Sequence, residues 1–205
     1  MPCHVSGVVR TVSGEPVPGA RLEIWQADEA GLYDVQYADL DEPRGRGHLF
    51  ADEDGRYRFW TVHPVAYPIP IDGPVGELLA ATQRSPMRPA HIHFMVTAPG
   101  YQTLTTHVFD EDDQYLDTDA VFGVRSSLLA SFERHEGGSA PDGWKRSSVR
   151  SSPPLESPPG IASRSTLPAT AGSSCSWSLR AVAGSTGRSK ATTIGVVTAI
   201  PSLPS

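Results

Sequence analysis

The stretch RPAHIHFMVTAPGYQ, Arg88–Gln102, decides how the chain is read. Its apolar run, closed by Pro99 and Gly100, reads as a strand followed by a turn. Alternate side chains of a strand point to opposite faces, so Ile92 and Phe94 share one face while His91 and His93 share the other. An H-x-H pair on a strand suits a shared metal ion, and it equally suits two histidines satisfied by backbone or water. A structural zinc site is poorly supported, because no cysteine lies nearby and the strand carries no carboxylate. Tyrosine is then the candidate partner. Tyr67 lies upstream in the proline-rich loop HPVAYPIPIDGP, and Tyr33 follows a turn in WQADEAGLYDVQ. Either tyrosine alone reads as a packed aromatic with a hydrogen-bonded hydroxyl.

Working outward, HVSGVVRTVSGEPVPGARLEIWQA reads as two short strands joined by a Gly/Pro/Ser connection, most simply a hairpin. HLFADEDGRYRFWTV repeats the scheme, with DEDG as turn chemistry. That turn lacks the alternating ligands and closing Glu of a calcium loop, and is read as solvated. The proline loop is predicted to be an ordered loop or an edge, followed by a short helix over VGELLAATQ. HIHFMVTA and TLTTHVF are strands around the turn PGYQ, EDDQYLDTD is an acidic loop, and SSLLASFERH is a helix by pattern or a closing strand by length. Short strands at this spacing predict an all-β, antiparallel β-sandwich.

Composition divides the 205 residues near His135. Residues 1–135 hold every histidine, tyrosine and phenylalanine and carry 10 Lys+Arg against 20 Asp+Glu, a net charge of −10. An acidic body argues against nucleic-acid binding, which needs clustered cations. Residues 136–205 carry 7 Lys+Arg against 3 Asp+Glu, and 16 of these 70 residues are serine, so this tail is expected to be disordered. The organisation expected is therefore a β-sandwich domain at 1–135 and a low-complexity tail at 136–205. Only Cys3 and Cys175 are present, which implies no disulfide framework. The N-terminus has no signal-like apolar run, and GVVTAI is far shorter than the ~20 residues of a membrane span. A soluble, cytoplasmic protein with no membrane partner is expected.

From about Val5 to His135 the chain resembles the catalytic domain of the intradiol ring-cleaving dioxygenases. The resemblance rests on ordered blocks: GEPVPGARLEIWQAD, GLYDVQ, DEDGRYRFWTV, YPIPIDGP, and RPAHIHF followed by APGYQTLTTHVF. It implies a non-haem Fe(III) site held by Tyr33, Tyr67, His91 and His93. Phenolate oxygen suits a hard trivalent ion, and imidazole suits iron in general. It also implies that an aromatic ortho-diol binds with O2, displacing Tyr67 as a base, and that Arg88 stabilises charge on the activated ring. His107 stands where the family often has a second-layer glutamine, and a histidine can also donate one hydrogen bond.

Within the family, YPIPIDGPVG, GLYDVQ and YLDTDAVFGVRSSL look most like hydroxyquinol 1,2-dioxygenases, which convert 1,2,4-trihydroxybenzene to maleylacetate. Ile69, Pro70 and Val121 match pocket-wall positions of that subgroup. Catechol and chlorocatechol 1,2-dioxygenases, giving cis,cis-muconates, are the alternatives, since one pocket residue shifts preference by only ~1 to 3 kcal/mol. The family is homodimeric through a helical segment before the sandwich, a segment expected to be absent here. The break in composition suggests a frameshift near Lys145. A rival of another class remains, because G-x-V followed by G-x-P-x-x-G-A is common in transthyretin-like and carboxypeptidase-regulatory-like sandwich modules that only bind or pack. A third possibility is an inactive fragment. Convergence of the two tyrosines on the two histidines separates the family from the binding module.

Overall fold

The computed structural model describes residues 2–136, Cys175–Ala181 and Thr198–Ile200. Two layers of strands face one another. One contains β1 (Pro2–Thr11) and β4 (Arg56–Val62), and the other contains β2 (Arg21–Trp25), β3 (Arg46–Phe50), β7 (His91–Thr97) and β8 (Leu104–Asp110). In the second layer the order is β3, β2, β7, β8, all antiparallel neighbours. β9 (Leu129–Glu136) joins β8 in parallel through two residue pairs and so links the layers. The alternation that predicts strands also builds the core. Val5 and Val9 of β1, Tyr57 of β4, Leu22 and Ile24 of β2, Ile92, Phe94 and Val96 of β7, and Phe132 of β9 meet in one apolar cluster. Each such burial contributes roughly 1.5–3 kcal/mol for the larger aliphatic and aromatic side chains. The β-sandwich expected from strand spacing is the fold.

The expected hairpin between the first two strands does not form. β1 pairs with β4, whereas β2 pairs with β3 and β7. The connection sends Val17 and Ala20 into the core, so both strands place apolar faces on opposite sides of one interior. The segment after it behaves alike: β3 and β4 belong to different layers, and the DEDG turn carries the chain across. There Asp52 Oδ1 accepts hydrogen bonds from the N–H groups of Asp54 and Arg56, and Gly55 takes the left-handed φ of 73° that closes the turn.

The proline loop is an edge in miniature. β5 (Tyr67–Pro68) pairs with β6 (Met87–Arg88), with Tyr67 opposite Arg88. Between them runs a helix, α1 (Pro74–Ala81), which starts with proline in its first turn. SSLLASFERH ends as the strand β9 after a short 3-10 turn at Ser126–Leu128, which decides between its two expected forms.

The expectation of a disordered tail falls mostly on residues outside those described. Of that segment, the described residues include β10 (Cys175–Ala181), paired with β1 and β9, and β11 (Thr198–Ile200), parallel to β1. Open main-chain donors and acceptors along β1 and β9 are ready templates for such pairing. Among the described residues no helix is long and apolar enough to cross a membrane.

Candidate active site

The alternation of β7 sends Ile92, Phe94 and Val96 into the core, leaving His91, His93 and Met95 on the outer face of the layer. Cross-strand register fills that face. His93 stands opposite Trp25 on β2 and His107 on β8, and His91 stands opposite Phe109. The Trp25 ring stacks on His93 with centroids 4.8 Å apart and planes 4° from parallel. The His107 ring lies 4.5 Å from His93 and 5.5 Å from His91. Two histidines on one strand are therefore walled in by aromatic rings from both neighbouring strands.

Two tyrosines arrive from separate loops. The Tyr33 loop is braced by Asp28, whose Oδ1 accepts from Ala30 and Leu32 and whose Oδ2 accepts from the Tyr37 hydroxyl. Gln36 accepts the Tyr33 N–H, fixing the residue itself. Tyr67 is set by the β5–β6 pair. The loops touch where Gly31, at a φ of 78°, passes so close that an added Cβ would stand 2.9 Å from Tyr67 Cβ. Only glycine permits both that conformation and that approach.

The hydroxyls of Tyr33 and Tyr67 are 2.6 Å apart. Tyr33 Oη lies 3.0 Å from His93 Nε2, Tyr67 Oη lies 3.2 Å from His91 Nε2, and the two imidazole Nε2 atoms are 3.0 Å apart. His91 Nδ1–H donates to the Pro89 carbonyl at 2.6 Å, so in the neutral ring Nε2 faces inward with its lone pair. Burial, then the neighbouring Arg88 charge, pushes the His91 pKa down to about 4. Burial, then His91, pushes that of His93 down to about 2. Both rings are thus neutral near pH 7, the form that binds a metal. Burial, followed by the hydrogen bond to Tyr67, raises the Tyr33 pKa, so its phenol gives up a proton only to a strong positive charge in the site.

His91 Nε2 is approached by Arg88 Nη1 at 3.0 Å, by Tyr67 and by His93. One lone pair cannot serve three neighbours. The four donor atoms crowd one point, as ligands around a common ion do, and the set of two phenols and two imidazoles fits Fe(III). Among the described residues no group of three or more His, Cys, Asp or Glu side chains could hold a metal ion.

Arg88 is 5% exposed. Its Nε donates to Asp119 Oδ1 at 3.1 Å. Asp119, itself buried, was read only as part of an acidic loop. A buried guanidinium requires a buried counter-charge, and that requirement was the signal for it. Trp25 was likewise missed, since its place beside His93 follows from register across strands. Among the described residues none of the pocket-wall candidates hydrogen-bonds to Tyr33, Tyr67, His91 or His93, and Val121 joins the Asp119 end of the network through its N–H. Ile69 is half-buried just past β5 with its N–H donating to Pro86, Pro70 is exposed, and Val121 is 49% exposed on the loop that begins with Asp119.

Comparison with known proteins agrees with this geometry. The family model described as Dioxygenase matches residues 1–147. Hydroxyquinol 1,2-dioxygenase of Nocardioides simplex is 57% identical over 144 residues, covering 70% of this chain and 49% of the relative. 6-Chlorohydroxyquinol 1,2-dioxygenase of Cupriavidus pinatubonensis is 60% identical over 137 residues, covering 67% and 50%. The solved structure of hydroxyquinol 1,2-dioxygenase from Pseudomonas putida DLL-E4 superposes with a TM-score of 0.65 at 48% identity, covering 70% of this chain and 50% of that one. The chain spans about half the length of the relatives it matches. With the fold, the ordered blocks and this match in agreement, the chain belongs to the intradiol ring-cleavage dioxygenase family.

Proposed function

We propose that the chain is a non-haem Fe(III) intradiol dioxygenase, with its site in residues 1–135, acting on hydroxyquinol and O2 to give maleylacetate. The observation that carries this is the convergence of Tyr33, Tyr67, His91 and His93 within hydrogen-bonding distance of one another. Similarity to hydroxyquinol and chlorohydroxyquinol enzymes supports the choice of ring. Bound Fe(III), held by those four side chains, supplies the Lewis acidity that makes a bound diol reactive toward O2.

The protein's own groups do the rest. Tyr67, which would be a phenolate when it holds iron, would take the proton of an incoming ring hydroxyl onto its Oη, the oxygen that contacts Tyr33 and His91. His91 keeps its orientation through Pro89, and His93 through its stack on Trp25. Arg88 presents fixed positive charge beside His91, suited to an electron-rich ring anion. His107 forms a polar wall next to both histidines, and Ile69, Pro70 and Val121 border the ring substituents. The expected setting is cytoplasmic.

Oxygen uptake tests this reading on purified, iron-loaded protein with hydroxyquinol and catechol in parallel. Uptake faster with hydroxyquinol, from a protein with visible tyrosinate-to-Fe(III) absorption, is the expected result. A colourless protein that consumes no oxygen with either diol would overturn it.

A further inference from the structure

Arg88 has partners on two of its three guanidinium nitrogens. Its Nε donates to Asp119 and its Nη1 reaches His91, but Nη2 is fully buried with no hydrogen-bond partner. An orphaned donor on a buried cation is costly, and it persists where a site is built for an anion. Asp119 is held as firmly as the arginine it holds. Its Oδ2 accepts from the Gly123 N–H at 2.7 Å, its Oδ1 also receives the Val121 N–H at 3.4 Å, and Arg84 Nη2 donates to the backbone carbonyls of Asp119 and Ala120. Gly123 keeps the space open, for a Cβ there would stand 3.3 Å from Arg88 Nη2 and 3.1 Å from Asp119 Oδ2.

We propose that Asp119 is a positioning residue: by engaging Nε it fixes the plane of the Arg88 guanidinium so that Nη1 stays on His91, with Nη2 buried and unpaired, and the cation is held ready for a negatively charged aromatic diolate. The proposal rests on the reading that Arg88 stabilises charge on the ring. A carboxylate placed only to neutralise a buried cation would be indifferent to which nitrogen it meets. This one meets the side nitrogen, leaving Nη1 to His91 and Nη2 without a partner, while its other oxygen is tied to the backbone.

The test compares wild type, R88A, D119N and the double variant R88A/D119N. In metal-free protein, 15N NMR follows the Arg88 Nε–H, which is protected from solvent exchange in wild type and identified by its disappearance in R88A. Iron content, visible absorption, kcat and KM for hydroxyquinol are measured on loaded protein. D119N is expected to lose the protection and to fall about tenfold or more in kcat with iron and colour retained. In the R88A background the same change is expected to alter kcat by less than about twofold, because the group it positions is gone. Should D119N fail to fold, D119E retains the charge at a different reach and is expected to be slow with normal iron content. Wild-type kcat in D119N or D119E, equal losses with and without Arg88, or loss of iron in D119N would each overturn the proposal. R88A at wild-type rate would instead remove the reading beneath it, while the exchange measurement still reports whether Asp119 holds Arg88.

Discussion

At the scale of single residues, the two tyrosines carry unequal burdens. Tyr33 contacts both Tyr67 and His93, while Tyr67 is the hydroxyl assigned to proton transfer. Tyr67→Phe is therefore expected to keep iron on three ligands, weaken the visible absorption, and lower kcat about 100-fold through loss of the base. Tyr33→Phe is expected to lose most of the iron as well. Metal analysis and absorption spectra on the two variants check this, and an unchanged spectrum in Tyr67→Phe would contradict the assignment. The histidine pair was legible from its i, i+2 spacing, since a strand leaves no other choice of face. The tyrosines were legible only through resemblance, because nothing local says that residues 34 positions apart share a hydrogen bond. Asp119 was hidden in a run of acids, of which Asp112 and Asp117 are exposed, and the burial of Arg88 singles it out.

At the scale of elements, strand positions were local facts and strand partners were not. Val/Ile alternation marks β1 and β2 wherever they go, yet whether they pair depends on which interior their apolar faces share. A two-layer core answers that by separating them. The end of β4 shows how the layers are tied. His63, just beyond it, lies 3.5 Å from Asp110 at the end of β8, and its ring packs edge-on to Phe132 of β9 with centroids 4.9 Å apart. Burial lowers the His63 pKa below its usual value, with Asp110 only partly opposing this. The unfolded chain then binds a proton that the folded chain resists, so stability is full above about pH 6.5 and is lost as the pH falls below it. Burial shifts Asp110 upward, so its protonation partly relieves the same region at lower pH. Urea unfolding of metal-free protein is expected to show a falling midpoint from pH 7 to pH 5.5. The slope should be shallower in His63→Gln, and an identical slope would exclude His63 as a source.

At the scale of the whole molecule, β7 is where stability and chemistry meet on opposite faces of one strand. Phe94 is fully buried among Tyr57 and Phe59, which come from the other layer, so it belongs to the contact that holds the sandwich closed. His93, its immediate neighbour, faces Trp25, Tyr33 and His107 and contributes nothing to that interior. The two faces should therefore fail separately. Phe94→Ala is expected to cost about 3–5 kcal/mol of unfolding free energy, the usual cost of an emptied aromatic site. His93→Gln is expected to cost about 1 kcal/mol or less in metal-free protein, since it removes a stack and no core volume. Iron binding should rank the other way, with His93→Gln losing affinity outright and Phe94→Ala retaining it at temperatures where it stays folded. Denaturant titration and metal analysis on both variants measure the two quantities independently. Equal losses of stability would mean that the ligand face, which the strand pattern marked as separate from the core, is part of what keeps the layers together.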